Sequence, residues 1–189
     1  MSSSALPLST LALTLSLGLL LAPLSHGAGP VAAPTGTPAA ASAPAAKGPA
    51  TLPVFTLRDL EDKDHSSTDW KGKVVLIDFW ATWCAGCRET IPALARLKEK
   101  YGANGLAVVG VSLDKGSKSK VAKFATKFKV NYQILLDSED TLSKVFGFEG
   151  LPSLYLFDRD GRLLKAMTGY TALQDKELEA LVATQFAGK

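Results

Sequence analysis

The chain has 189 residues, a net charge of +3, 47% hydrophobic residues, two cysteines and two histidines. That length suits one domain with a buried core, and the lysines are not set in any nucleic-acid recognition motif, so no nucleic-acid partner is expected. Two cysteines with His26 and His65 are a poor source for the four ligands of a structural zinc site, because His26 falls in a leader-like stretch.

Residues 1–27 read as a secretory leader. Leu11 to Ala22 is an apolar core of suitable length, and Ser25-His26-Gly27 places small residues where cleavage would occur. No Lys or Arg precedes the apolar core, so the α-amino group supplies the only charge there. Cleavage is the preferred reading. The alternative is an uncleaved membrane anchor through residues 6–24, a run near spanning length but diluted by Ser, Thr and Pro. No cysteine follows the core to take a lipid. Residues 28–50 are Ala, Pro, Gly, Ser and Thr with Lys47 as the one charge, a composition expected to form a disordered spacer. The folded domain is expected over residues 51–189.

Leu52 to Leu57 reads as an edge strand that tolerates Pro53 near its start. Glu61 to Asp69 is polar and turn-like, and His65 within it reads as a solvated loop residue rather than a catalytic base. Val74 to Trp80 is a nearly continuous apolar run, the pattern of a strand buried on both faces. Asp78 interrupts it, and a carboxylate there is costly unless paired or protonated. It is either a hydrogen-bonded core group or, the preferred reading, a proton-transfer group.

Cys84 and Cys87 follow at the expected start of a helix running to about Tyr101. A helix N-terminus offers unpaired N–H groups and partial positive charge, and both favour a thiolate. Two cysteines one helical turn apart are within disulfide reach. Such a pair can attack a partner's disulfide and then resolve the mixed disulfide internally. A structural bridge over so short a loop would constrain little of the unfolded chain, so redox chemistry is the preferred reading.

Ile91, Leu94, Ala95 and Leu97 fall on one face of that helix, which contains Pro92. Gly105 to Ser112 reads as a second buried strand. Val121, Phe124, Ala125 and Phe128 predict a helix whose lysines, Lys118, Lys120, Lys123, Lys127 and Lys129, lie largely off the apolar face. Strands are expected over Tyr132 to Leu136 and Leu154 to Phe157, with a short helix over Ser138 to Phe146 between them. Asp158 to Gly161 reads as a hairpin turn, and Leu173 to Phe186 as the closing helix.

Phe79-Trp80-Ala81-Thr82-Trp83-Cys84-Ala85-Gly86-Cys87 resembles the active site of thioredoxin-fold proteins, most of all the TlpA-like (ResA-like) branch of exported thiol-disulfide oxidoreductases. The resemblance covers about residues 51–189. It implies an α/β thioredoxin fold, a mixed central sheet flanked by helices, with an N-terminal hairpin and a central helix-strand insertion. Asp114 to Leu142 resembles that insertion, and Trp70 to Lys73 the turn before the active-site strand. The resemblance makes Cys84 the attacking and Cys87 the resolving cysteine of a redox disulfide. Asp78 stands at the position of the buried aspartate of ordinary thioredoxins. Those carry a lysine beside it where this chain has Gly110, so burial is expected to raise the pKa of Asp78. Trp83 resembles the tryptophan bordering the site, whereas Trp80 is assigned to core packing. Gly150-Leu151-Pro152-Ser153 resembles the loop with a cis proline that faces the disulfide, and Gly169 is expected at a close backbone approach to it. Trp83, Leu151 and Pro152 are then the substrate-docking surface. Relatives often carry a glutamate where this chain has Thr90; Glu89, one residue earlier, is rotated by about 100° and reads as solvated.

The function so implied is the reduction of protein disulfides in a periplasmic or other extracytoplasmic space, in cytochrome c maturation or more generally, with action as an oxidant the equal alternative in an oxidising compartment. Expected partners are a disulfide-containing protein substrate and a membrane thiol electron donor, with the protein a monomer and with no cofactor or metal. Two alternatives resemble other branches of the fold. A peroxiredoxin-type peroxidase uses a cysteine that is not half of a Cys-x-x-Cys pair. A Sco-type copper-delivery module uses Cys-x-x-x-Cys and a late histidine, and this chain has none after His65.

Overall fold

The computed structural model of the protein describes residues 48–187. The leader or anchor reading, with residues 6–24, and the spacer up to residue 47 lie outside the described residues. Among the described residues no helix is long and apolar enough to cross a membrane.

The strands are β1 (Thr56–Asp59), β2 (Asp64–Ser66), β3 (Val74–Trp80), β4 (Leu106–Ser112), β5 (Gln133–Leu136), β6 (Ser153–Phe157) and β7 (Leu163–Thr168). The helices are α1 (Cys87–Tyr101), α2 (Lys118–Lys127), α3 (Thr141–Phe146) and α4 (Ala172–Thr184). The strands form one seven-stranded sheet ordered β2-β1-β5-β4-β3-β6-β7. β3, β4 and β5 run parallel, and the pairs on either side of them are antiparallel. This is the expected mixed sheet flanked by helices, with β1–β2 as the N-terminal hairpin and α2–β5 as the inserted helix-strand unit.

Parallel neighbours need crossovers, and right-handed crossovers that step the same way along a sheet put their helices on one face. α1 joins β3 to β4 and α2 joins β4 to β5. Val74 and Leu76 accordingly pack with Leu94 and Leu97 of α1 and with Leu178 and Val182 of α4, while Trp80 packs with Val121 and Ala125 of α2. The alternate residues, Val75, Ile77 and Phe79, face the opposite side, where Phe146 of α3 sits among aromatic rings. Its ring centroid lies 4.8 Å from Phe79, 4.9 Å from Tyr155 and 6.3 Å from Phe157.

Two expectations change at the N-terminal hairpin. The first strand begins at Thr56 rather than Leu52, and it is internal, held between β2 and β5. Pro53 therefore precedes the ladder, where its missing N–H costs nothing; Leu52 donates instead to the Gly161 carbonyl at 2.7 Å. His65 is not a solvated loop residue. It lies in β2, half-buried, with Nε2 2.7 Å from Asp59 Oδ2. Burial alone would raise the Asp59 pKa, but hydrogen bonds from His65 and from the Lys63 and Glu61 amides outweigh it and hold that pKa low. Gly169 does approach the site loop, its N–H donating to the Pro152 carbonyl at 2.8 Å. Space is not what requires glycine there, since an added Cβ would meet nothing within 4 Å; the requirement is its φ of 77°.

Phe146 is fully buried, and its carbonyl accepts from the Tyr155 hydroxyl at 3.0 Å. Phe146→Ala is expected to remove about 3–5 kcal/mol of stability through lost burial and the cavity left behind. Urea unfolding followed by circular dichroism measures it, with an unchanged slope marking a stability effect alone.

Candidate active site

β3 is buried at all seven positions, and the chain leaves its C-terminal end directly into the cysteine loop. Thr82 starts that loop. Its amide and hydroxyl donate to the two oxygens of Asp114 at 2.8 and 2.5 Å, and Ser112 Oγ donates to the same carboxylate at 3.0 Å. Asp114 thus ties the end of β4 to the turn that presents the cysteines. Its only signal in the sequence was a lone acid two residues beyond a buried strand.

Cys84 and Cys87 form a disulfide with Cα atoms 5.4 Å apart. The helix starts at Cys87 rather than Cys84, with Gly86 as its N-cap. Cys84 therefore stands just outside the helix end and receives one of its free donors: the Cys87 amide points at Cys84 Sγ from 3.1 Å. Both that N–H and the helix dipole favour negative charge on Cys84. The two sulfurs differ in access, Cys84 being 7% exposed and Cys87 fully buried.

Cys84 opens onto a groove of about 830 Å³. Trp83, two-thirds exposed, forms one wall, and Leu151, Phe148 and Gly150 the other. The Leu151–Pro152 peptide is cis. Pro152 is buried against the cysteine loop, and a Cβ on Gly86 would come within 3.4 Å of its Cδ. Trp83, Cys84, Leu151 and Pro152 are therefore brought together. Glu89 is exposed on the far side of the first helical turn.

Asp78 lies behind the pair, wholly enclosed. Thr90, from the first turn of α1, places its hydroxyl 2.9 Å from the Cys87 carbonyl and 3.3 Å from Asp78 Oδ2. Thr90 had been read only as a missing glutamate; the contact shows that its position faces Asp78. Among the described residues no cation relieves the carboxylate, and burial pushes the Asp78 pKa up to about 8 against the opposing effect of Thr90. At neutral pH the acid is mostly protonated, and its O–H can donate to Thr90 Oγ1. β4 pairs Gly110 opposite Asp78. A Cβ on Gly110 would stand 2.8 Å from Trp80 Nε1 and 3.1 Å from Tyr132 Cε2, so these rings fill the space that a longer side chain would need.

Among the described residues no group of three or more His, Cys, Asp or Glu side chains is placed to hold a metal ion.

Residues 50–166 match the AhpC/TSA family. The thiol-disulfide oxidoreductase ResA of Geobacillus thermodenitrificans is 34% identical over 125 residues, 66% of this chain and 71% of that protein. The thioredoxin-like protein YneN of Bacillus subtilis is 35% identical over 129 residues, 67% of this chain and 74% of the relative. Among solved structures, the thioredoxin domain of a thiol-disulfide oxidoreductase from Bacteroides vulgatus is similar with a TM-score of 0.62 and 27% identity, over 72% of this chain and 98% of that one.

Asp78 sets a pH dependence of stability. Its folded pKa is raised above the unfolded value of 3.8. The folded state therefore holds a proton that the unfolded chain releases, and stability is lost as pH rises from about 4 through 8. Comparing the oxidised wild type with Asp78→Asn isolates the effect. The difference in favour of the amide should grow by about 1.4 kcal/mol per pH unit over that window and then level off, as read by urea unfolding at a series of pH values.

Proposed function

This chain belongs to the AhpC/TSA family and to the ResA-type thiol-disulfide oxidoreductases, and on that premise we propose that it is an exported reductase of protein disulfides. The asymmetry of the cysteine pair carries the reading: Cys84 faces the groove with an amide on its sulfur, and Cys87 is buried beneath it. In the reduced enzyme the Cys84 thiolate attacks a substrate disulfide. The Cys84–substrate bond forms, the substrate bond breaks, and the first substrate thiolate takes a proton. Cys87 then gives its proton to Asp78 in its ionised form and attacks Cys84 Sγ. The Cys84–Cys87 bond forms, the second substrate thiolate leaves, and two electrons have passed to the substrate.

The oxidised state serves the return step. A donor thiolate attacks Cys84, and Cys87 departs with the electron pair and takes the proton of protonated Asp78. The donor's second thiolate then displaces Cys84, closing a disulfide in the donor and leaving both cysteines reduced. Trp83, Leu151 and Pro152 dock the substrate chain. The leader-like N-terminus supports a periplasmic or other extracytoplasmic site of action, with electrons drawn from a membrane thiol donor and cytochrome c maturation as one destination. The protein works as a monomer. The reduction potential of the pair tests the direction: about −270 mV marks a reductant and about −120 mV an oxidant.

Single variants test the roles. Cys84→Ser is expected to abolish insulin reduction, while Cys87→Ser accumulates mixed disulfides visible on non-reducing gels. Turnover retained in either one overturns the assignment. Asp78→Asn should leave the fold intact and slow mixed-disulfide resolution by about 100-fold or more. Stopped-flow rates unchanged across pH 6 to 9 would return Asp78 to a structural role.

A further inference from the structure

Among the described residues, two buried side-chain polar atoms have no partner: Asp78 Oδ1 and Trp80 Nε1. One is an acceptor and the other a donor only. They belong to alternate residues of β3, so their side chains stand on the same face of the sheet. They also converge on one spot. Gly110 is the residue paired with Asp78 across the β3–β4 ladder, and the Trp80 indole nitrogen lies directly over it, 2.8 Å from where a Cβ would be. The indole is held there by stacking on Phe124 of α2, with ring centroids 5.1 Å apart at 29°. Leaving a buried polar group unpaired is costly, and here the two orphans are complementary and border the same Gly110 position.

We infer that the indole N–H of Trp80 is a positioning group for the proton-handling acid, donating a hydrogen bond to the ionised carboxylate of Asp78. When Asp78 is protonated, its Oδ2 side is served by Thr90. When it ionises, Oδ1 gains negative charge, and the one unpartnered buried side-chain donor among the described residues is this N–H. A neutral indole supports a carboxylate less than an ammonium would, so the acid stays hard to ionise yet can still do so. The inference rests on the reading of Asp78 as the proton-transfer group and goes beyond it by naming what receives the charge.

The surroundings leave few competitors. α1 presents Cys87 and Thr90 to Asp78, β6 presents Leu154, and the stretch before β5 presents Tyr132. Tyr132 and, beyond β7, Tyr170 are near enough for Asp78 to help raise their pKa values, with burial the larger cause in each, so both keep their protons around pH 8.

The test is nuclear magnetic resonance on the oxidised protein, in which neither cysteine titrates. The Trp80 indole N–H resonance should shift with the same midpoint as the Asp78 carboxyl carbon, and that shift should vanish in Asp78→Asn; the Trp70 and Trp83 indoles serve as controls and should stay flat. Trp80→Phe should raise the Asp78 midpoint by about one pH unit, equivalent to a tenfold loss of ionised acid at fixed pH. An indole resonance that stays flat from pH 6 to 10 while the carboxyl titrates overturns the inference, and this wild-type measurement decides even where Trp80→Phe fails to fold. Resolution rates unaltered in Asp78→Asn would instead overturn the catalytic reading of Asp78 and leave the Trp80 titration standing.

Discussion

The rest of the structure depends on β3 being buried on both faces along its whole length. A strand in that position must be apolar, and it is, except at Asp78. Because the parallel crossovers put α1 over that face, the one carboxylate of the strand ends up beneath the helix start that carries the cysteines. The fold thus supplies two opposed environments within one turn of helix. Cys84 sits at the mouth of a groove with an amide on its sulfur, where negative charge is favoured. Asp78 sits in an enclosed pocket, where negative charge is disfavoured. Disulfide exchange needs both: a sulfur that holds charge easily and an acid that keeps its proton until a sulfur takes or returns it.

Much of this was legible in the sequence because it depends on short-range pattern. The apolar run, broken only by Asp78, marks β3 with both of its ends, and the spacing of the cysteines marks their pairing. The missing lysine at Gly110 correctly implied a raised pKa for Asp78, since desolvation needs only burial and the lack of a partner. What was not legible depends on contacts across long separations. Asp114 holds Thr82 over 32 positions, and nothing in either residue type announces it. His65 reads as loop because its segment is polar, yet a hairpin strand is free to be polar where its side chains pair with each other, as His65 does with Asp59. Thr90 was seen only against the residue it replaces; its contact with Asp78 requires knowing that helix position 90 faces strand position 78. The helix start was placed three residues early because nothing in Cys84 to Gly86 forbids helix, and only the loop geometry shows that Gly86 is the cap.

The helix-strand unit α2–β5 looks peripheral in the sequence, a lysine-rich addition beside the core. Its packing gives it a larger part. Phe124 of α2 stacks on Trp80, an interaction of about 0.5–1.5 kcal/mol beyond simple burial, and Tyr132, immediately before β5, closes the other side of the Gly110 position. Together they fill the space beside Asp78 with rings. A lysine at position 110 would have to displace both, so the unit and the glycine are one arrangement rather than two independent features. The consequence reaches the chemistry. With a cation next to it, a buried carboxylate ionises readily and loses its proton near the ordinary range. With aromatic rings there, ionisation is postponed to about pH 8, close to the range in which cysteine thiols exchange protons. Matching the acid to the thiol it serves makes proton transfer between them nearly even in energy, the condition under which a general acid can also act as a base. On the proposed reading of Asp78 as the proton-transfer group, the inserted unit is therefore what sets one enclosed carboxylate to work in both directions of the exchange.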